Sequence, residues 1–286
     1  MVKVSIGIPV YNVSDYLLQC LESIRQQSFQ DFEVIMVDDG SIDNSFEICQ
    51  EYVFRDSRFK LYHQSNFGVA TARNTCLKHM HGEFVAWIDG DDWVEKDYLE
   101  TLVNLQTNTN ADIIHMGFKS YRNDNMYVAD FKTLYGKFNY NLPKKVAISD
   151  VFVRKYGIIT VWGDLVNAQL YKGFVFSEDN TFEDTGNKFK LYLQANDIVL
   201  SNQAKYIYRV HRESLTQNIM RDTSELKRIK MTISNYEKLL YYLDLANFEL
   251  EYFKDSYISW LDEQMSKSKS EEIRKYIKKH KEHLKY

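Results

Sequence analysis

Apolar and polar positions in the first hundred residues switch repeatedly between two periods. VSIGIPV (4–10) is a short continuous apolar run rich in β-branched residues, the pattern of a strand buried on both faces. SDYLLQCLESIRQQSF (14–29) then puts Leu17, Leu21 and Ile24 on one helical face, with Ser14 as its expected cap. FEVIMVDD (32–39) predicts a second strand and SIDNSFEICQEYVFRD (41–56) a second helix. FKLYHQ (59–64) predicts a third strand, GVATARNTCLKHMHG (68–82) a third helix closed by Gly82, and EFVAWID (83–89) a fourth strand. Continuous apolar strands alternating with helices imply parallel pairing with helices on both faces of the sheet. Ligands of such sheets collect at the carboxyl ends of the strands. Here those ends read PVYN, VDDGS, HQSN and DGDD, two of them heavily acidic.

The second half is less regular. WVEKDYLETLVNLQTN (93–108) predicts a helix and ADIIHMGFKSY (111–121) a strand, and the polar, aromatic segment 123–145 a hairpin or loop. AISDVFVRKYG (147–157) and TVWGDLVNAQLYKG (160–173) follow. FEDTGNKFKLYLQA (182–195) predicts a helix opened by two acids, and AKYIYRVHRESLTQN comes next. From about 222 to the end the pattern is helical, without Gly or Pro.

At 286 residues, 44% apolar and 27% charged, the chain has room for one large domain or a domain with a helical attachment. A net charge of -4 argues against coating nucleic acid, and no nucleic-acid partner is expected. Residues 266–286 nevertheless carry eight Lys/Arg against three Glu, with Ile273, Ile277 and Leu284 spaced among them. Two readings stay open: an amphipathic helix making peripheral contact with anionic lipid, or a packed terminal helix with a solvated basic face. The three cysteines are far apart and show no metal spacing, as in a reduced compartment. The run VKVSIGIPV after Met1 lacks a signal-peptide layout, and no run approaches the ~18 apolar residues of a membrane span. The expected location is the cytoplasm, with the inner face of the plasma membrane as its extension.

DGDD also has two readings. Asp-Gly is a strong turn dipeptide, and acidic surface turns are common. Yet the apolar strand before it brings these aspartates to the sheet edge beside Asp38 and Asp39. Carboxylates gathered without a cation repel and are costly to desolvate, which a divalent ion such as Mg²⁺ or Mn²⁺ relieves. No GxGxxG follows the first strand and no GxxxxGK[ST] occurs, against a dinucleotide dehydrogenase or P-loop ATPase. Arg73 lies in the first turns of a predicted helix, either as an anion contact or as a surface arginine.

The blocks PVYN, VDDGSIDNS, NFGVATARN and GEFVAWIDGDD, in this order over residues 3 to about 100, resemble the inverting family 2 glycosyltransferases. TVWGDLVNAQLY, FEDTGNKF and YRVHRESLT continue the resemblance more thinly, and the last sixty or so residues do not share it. The resemblance implies the GT-A nucleotide-diphospho-sugar transferase fold: a mixed, mostly parallel α/β sheet flanked by helices, here with a C-terminal helical region. It implies a transferase domain over 1–215, with a nucleotide-binding half (1–100) and an acceptor half (101–215), followed by helices over 216–286.

It also implies roles. Tyr11, beside Pro9, lies against a uracil ring, and Asp39 accepts the uracil N3–H. Arg73 contacts the nucleotide or its diphosphate. Asp89 and Asp91 form the D-x-D pair, Asp91 as direct Mn²⁺ or Mg²⁺ ligand and Asp89 toward ribose or metal water, with Asp92 either supporting them or capping a helix. Asp184 is the catalytic base, supported by Glu183; outside this resemblance both acids are read more simply as residues favouring a helix N-terminus. His211 stands near the diphosphate and metal, although a lone histidine in an aromatic strand is more often structural. The sequence departs from the family at Asp164, where a Lys is usual, so the acceptor side is expected to differ, with Trp162 available to stack on a sugar ring.

The implied activity is metal-dependent, inverting transfer of a hexose or N-acetylhexosamine from a UDP-sugar. The acceptor is a hydroxyl of a glycan, a lipid-linked oligosaccharide or a glycoprotein, as in bacterial surface polysaccharide or adhesin glycosylation. The alternatives are a non-catalytic nucleotide-sugar-binding accessory subunit and a nucleotidyltransferase. The latter is expected to carry a Gly/Arg/Lys-rich loop after its first strand, which PVYNVSDY is not.

Overall fold

The computed structural model describes residues 2–128, 138–153, 159–177, 183–211 and 223–284, with Ser214 and Arg221. The N-terminal half alternates as the apolar pattern predicts. β1 (Val4–Val10), β2 (Phe32–Asp38), β3 (Phe59–His63) and β4 (Phe84–Trp87) are separated by α1 (Ser14–Arg25), α2 (Ser45–Arg55) and α3 (Val69–His79). The four strands pair in parallel in the order β3-β2-β1-β4. The chain therefore turns back across β1, and the switch point between β1 and β4 opens the crevice where ligands of such sheets bind. Gly7 of β1 has no Cβ because the Trp87 ring occupies that place, 2.4 Å from where a Cβ would stand.

Beyond β4 come β5 (Trp93–Val94), α4 (Tyr98–Thr109), β6 (Ile113–Arg122) and β7 (Asn125–Val128). β8 (Asn139–Asn141), α5 (Lys144–Val153), β9 (Asp164–Asn167), α6 (Glu183–Asn187), α7 (Phe189–Gln194) and β10 (Ile198–Arg209) follow. β9 lies antiparallel between β4 and β6, while β6 and β10 run parallel to each other, giving a mixed sheet. Hence β10 ends on the same edge as β4. Of the segment 123–145, expected as a hairpin or loop, β7 pairs back onto β6 across a two-residue turn where Asn123 and Asp124 both take positive φ (48° and 59°), while β8 pairs with β10. Residues 129–137 of that segment lie outside the described residues.

Several helix expectations change: Trp93 and Val94 of the helix expected over 93–108 form β5, with α4 starting at Tyr98, and α3 ends at His79 rather than at Gly82. Ser14 is the first helical residue rather than the cap; its N–H donates to Asp43 Oδ2 at 3.0 Å. The stretch 182–195 is two short helices, α6 and α7, divided at Lys188. Three longer helices close the chain: α8 (Glu225–Leu245), α9 (Glu251–Lys267) and α10 (Glu271–His283). α8 packs on α6, α9 packs on α5, and α10 packs on α9. Ile273 and Ile277 of α10 are buried in the common core, while Arg274, Lys275, Lys278 and Lys279 are exposed. The packed reading of the C-terminus therefore accounts for its apolar spacing. No described helix is long and apolar enough to cross a membrane.

Candidate active site

At the β1 and β2 ends, Tyr11 is 45% exposed while Asp38 and Asp39 are buried, and Pro9 is half-buried within β1. Asp39 is held by the loop after β3: Oδ1 accepts from Gln64 Nε2 (2.7 Å) and the Phe67 N–H (3.0 Å), and Oδ2 from the Gly68 N–H (2.8 Å). A carboxylate offers about four lone-pair sites, so one on Oδ2 remains. Gly40, next along, takes φ +75°, and a Cβ there would stand 2.9 Å from the Asn66 backbone nitrogen. Only glycine lets the β2 turn approach the 64–68 loop this closely.

The DGDD turn follows β4, and its three carboxylates go three ways. Asp92 is buried; it accepts the Tyr206 hydroxyl at 2.6 Å and the Arg209 N–H at 2.7 Å. Burial, with the charges of Asp91 and Asp89, pushes its carboxyl well above the ordinary range. Asp92 is thus neither a helix cap nor open to solvent: it ties the turn to β10. Arg209 strengthens the tie, its Nε donating to the Asp91 carbonyl at 2.8 Å while the guanidinium lies 4.4 Å from the Trp93 ring and 4.9 Å from Tyr16. Asp91 turns the other way, with Oδ2 2.8 Å from His211 Nε2; the His211 ring also meets Tyr16 at 4.5 Å.

Asp89 faces Arg73. This arginine, on the first turns of α3, is only 2% exposed, against the surface reading. Its Nη1 donates to Asp184 Oδ1 at 2.8 Å and its Nη2 to Asp89 Oδ1 at 3.1 Å. One guanidinium thereby joins the edge of β4 to α6, whose Asp184 is 111 residues beyond Arg73. Burial raises the Asp89 carboxyl to about 6 against the opposing pull of Arg73, and the Asp91 and Asp184 charges add to the rise. Asn74, the next residue, exchanges two hydrogen bonds with the Phe176 backbone (2.9 and 2.8 Å), fixing the segment before α6. Glu183 opens α6, but its side chain lies outside the described residues.

The expected sugar platform is corrected. Trp162 is 6% exposed, stacked on Tyr206 (4.6 Å) and Tyr208 (5.4 Å), and belongs to the core. Asp164 is equally buried: it meets Lys188 Nζ at 2.7 Å and also pairs with His115. The departure from the usual Lys is therefore answered inside the core by Lys188, and Asp164 does not face an acceptor.

Tyr206 lies outside the quoted blocks, and Asn74 and Arg209, inside NFGVATARN and YRVHRESLT, take no role from the resemblance, nor does Tyr16. Only the joining of β10 and α3 to the acidic edge reveals them. Among the described residues no three His, Cys, Asp or Glu side chains converge as a self-sufficient metal cage. Asp91 and His211 offer one oxygen and one nitrogen, a partial donor set that suits a divalent ion completed by substrate oxygens.

A mostly parallel sheet with an acidic switch-point edge, an antiparallel strand beside it and helices on both faces is the architecture of the GT-A transferases. The profile of Glycosyl transferase family 2 matches residues 5–151. The chain belongs to this family. It is similar to the glycosyltransferase GlyA of Streptococcus pneumoniae (34% identity over 220 residues), covering 75% of this chain but 32% of GlyA. It is also similar to GlyG of the same organism (28% over 273 residues; 90% of this chain, 86% of GlyG). Among solved structures, S. aureus TarS 1–349 in complex with UDP-GlcNAc superposes with a TM-score of 0.75 at 21% identity, covering 94% of this chain and 74% of that one. The mannosyltransferase PcManGT of Pyrobaculum calidifontis, in complex with GDP-Man and Mn²⁺, gives 0.57 at 14% identity, covering 100% of this chain and 81% of that one.

Proposed function

We propose that the chain transfers a hexose or N-acetylhexosamine, with inversion, from a UDP-sugar to an acceptor hydroxyl. The carrying observation is the Arg73 bridge, which brings Asp184 from the acceptor half to the acidic edge at β4. In this reading Tyr11 lies against uracil, beside Pro9, and the remaining Oδ2 site of Asp39 accepts the uracil N3–H. Arg73 is a positioning residue first: it orients Asp184 and Asp89, and its charge faces the diphosphate. Asp184 takes the proton of the acceptor hydroxyl as the oxygen attacks the anomeric carbon opposite the leaving group. Glu183 supports it from the first position of α6. Asp91 and His211 would hold Mn²⁺ or Mg²⁺, with Asp89 toward ribose or metal water, and the ion would neutralise the leaving diphosphate, so that no general acid would be required. The solved complexes of TarS with UDP-GlcNAc and of PcManGT with GDP-Man and Mn²⁺ support the donor class and the ion.

The acceptor in this reading is a glycan, lipid-linked oligosaccharide or glycoprotein, met in the cytoplasm. Contact with an anionic membrane is limited to the exposed cations of α10, because its isoleucines are packed inside.

The test is release of UDP from UDP-Glc, UDP-Gal, UDP-GlcNAc and UDP-GalNAc with Mn²⁺, comparing the native chain with Asp91→Ala and Asp184→Asn. Asp91→Ala is expected to lose manganese dependence and donor binding. Asp184→Asn is expected to keep donor binding and lose transfer by about 100-fold or more. If manganese and Asp91 affect neither UDP binding nor turnover, the metal assignment is wrong.

A further inference from the structure

Beside α6 two lysines stand together, and among the described residues neither meets a carboxylate. Lys190 of α7 is half-buried, and its Nζ donates to Asn187 Oδ1 at 2.8 Å. Its other neighbours are the rings of Phe174 (5.7 Å) and Tyr242 (5.8 Å). Lys238 of α8, also half-buried, donates to Ser177 Oγ at 3.2 Å. The two are joined through neutral groups, since Asn187 Oδ1 also accepts the Ser177 N–H at 3.2 Å. Among the described residues neither lysine forms an ion pair, whereas elsewhere in the chain Lys188, Lys205 and Lys281 each have a carboxylate.

Two partly desolvated ammonium groups repel each other, and dipoles and ring faces offset this only in part. Burial, with the Lys238 charge adding to it, pushes the Lys190 ammonium down to about 8. An anion with several acceptor oxygens would take a charge-assisted bond from each lysine. Position gives the anion its source. Asn187 lies three residues after Asp184 on α6, one helical turn away and on the same side. A group bound at the lysines therefore lies beside the short helix that carries Asp184, next to a residue one turn from that carboxylate.

We propose that Lys190 and Lys238 form a subsite for a phosphate group of the acceptor, so that the hydroxyl glycosylated belongs to a phosphorylated polyol, sugar or lipid. This deepens the transferase reading and rests on Asp184 as base. Lysine is suited to phosphate as a mobile point charge, and the half-buried setting keeps part of each ammonium open to solvent.

The experiment is titration calorimetry of the full chain with glycerol 1-phosphate and, separately, farnesyl phosphate, against Lys190→Gln/Lys238→Gln. Binding of either phosphate to the native chain, weakened at least about tenfold in the double variant, is expected. The Lys190→Arg/Lys238→Arg variant should recover most of it. UDP binding with Mn²⁺ and the melting temperature should be unchanged in the Gln variant, which excludes a folding defect. The arm that binds tells a polyol phosphate from a lipid phosphate. Absence of binding to the native chain overturns the subsite, as does equal binding to the double variant, which would place the phosphate at the donor edge. Because phosphate binding is read without UDP, failure of the donor reading shows separately as absent UDP binding.

Discussion

Lys188→Met tests the buried ion pair between Lys188 and Asp164. Lys188 and Asp164 are each 1% exposed and meet at 2.7 Å, so both charges have been withdrawn from water. Methionine keeps an unbranched apolar stem in the same space, and the substitution removes little besides the ammonium. It strands the Asp164 carboxylate in the core. Burial holds the imidazole of His115, its other partner, below the ordinary value, with Asp164 pulling the other way and the Lys188 charge adding to the lowering. Breaking a buried pair on one side costs about 3–5 kcal/mol. At about 2–4 °C per kcal/mol for a chain of this size, the melting temperature should fall by about 10 °C. Adding Asp164→Asn removes the stranded charge, and Lys188→Met/Asp164→Asn should return to within about 2 kcal/mol of the native chain. Urea denaturation at pH 7, followed by tryptophan fluorescence, measures the full double-mutant cycle. The reasoning fails if Lys188→Met costs under about 1 kcal/mol, or if the two substitutions add instead of offsetting.

Asp89→Asn tests the electrostatics of the acidic edge. With its carboxyl at about 6 in the folded chain against an ordinary 3.8, native Asp89 stays protonated where the unfolded chain has ionised. That contribution to stability is present at low pH and lost as pH rises through 6. In metal-free buffer the Asp89→Asn variant should match the native chain near pH 4 and exceed it by about 2–3 kcal/mol at pH 8; a gap independent of pH would contradict this. Asp92→Ala removes the acceptor of both the Tyr206 hydroxyl and the Arg209 N–H and should cost about 2–4 kcal/mol. Asp92→Asn should cost much less, because a neutral acceptor suits this buried place; equal losses in thermal melts would count against the tie. Ile277→Ser should destabilise the chain by about 2–4 kcal/mol and leave sedimentation with anionic liposomes unaltered. Lost liposome binding at native stability would restore the lipid-facing reading.

The apolar periods of residues 4–89 were enough to place four parallel strands and the helices between them. Continuous β-branched runs and one-sided helical stripes each fit one kind of burial. The acidic strand ends were legible for the same reason: once β4 is a buried strand, Asp89 to Asp92 must emerge at its carboxyl edge. Sequence spacing alone did not say which way each carboxylate turns. Asp89, Asp91 and Asp92 are neighbours in the chain, yet α3, the segment after β10 and β10 itself claim one each, through Arg73, His211 and the Tyr206–Arg209 pair.

The same limit explains the misplaced details. Ser14 lost its capping role to Asp43 because a tertiary neighbour reached the helix end first. Trp162 and Asp164 looked open to an acceptor because a short strand between two others, β9, has no periodic signal that separates its buried side from a site. The α10 isoleucines had a helical stripe whose partner, lipid or protein, periodicity cannot name; packing on α9 supplies it. Local pattern determines which residues are buried and where strands end. Which groups meet depends on contacts between residues as far apart as Arg73 and Asp184, and those exist only once the sheet has closed.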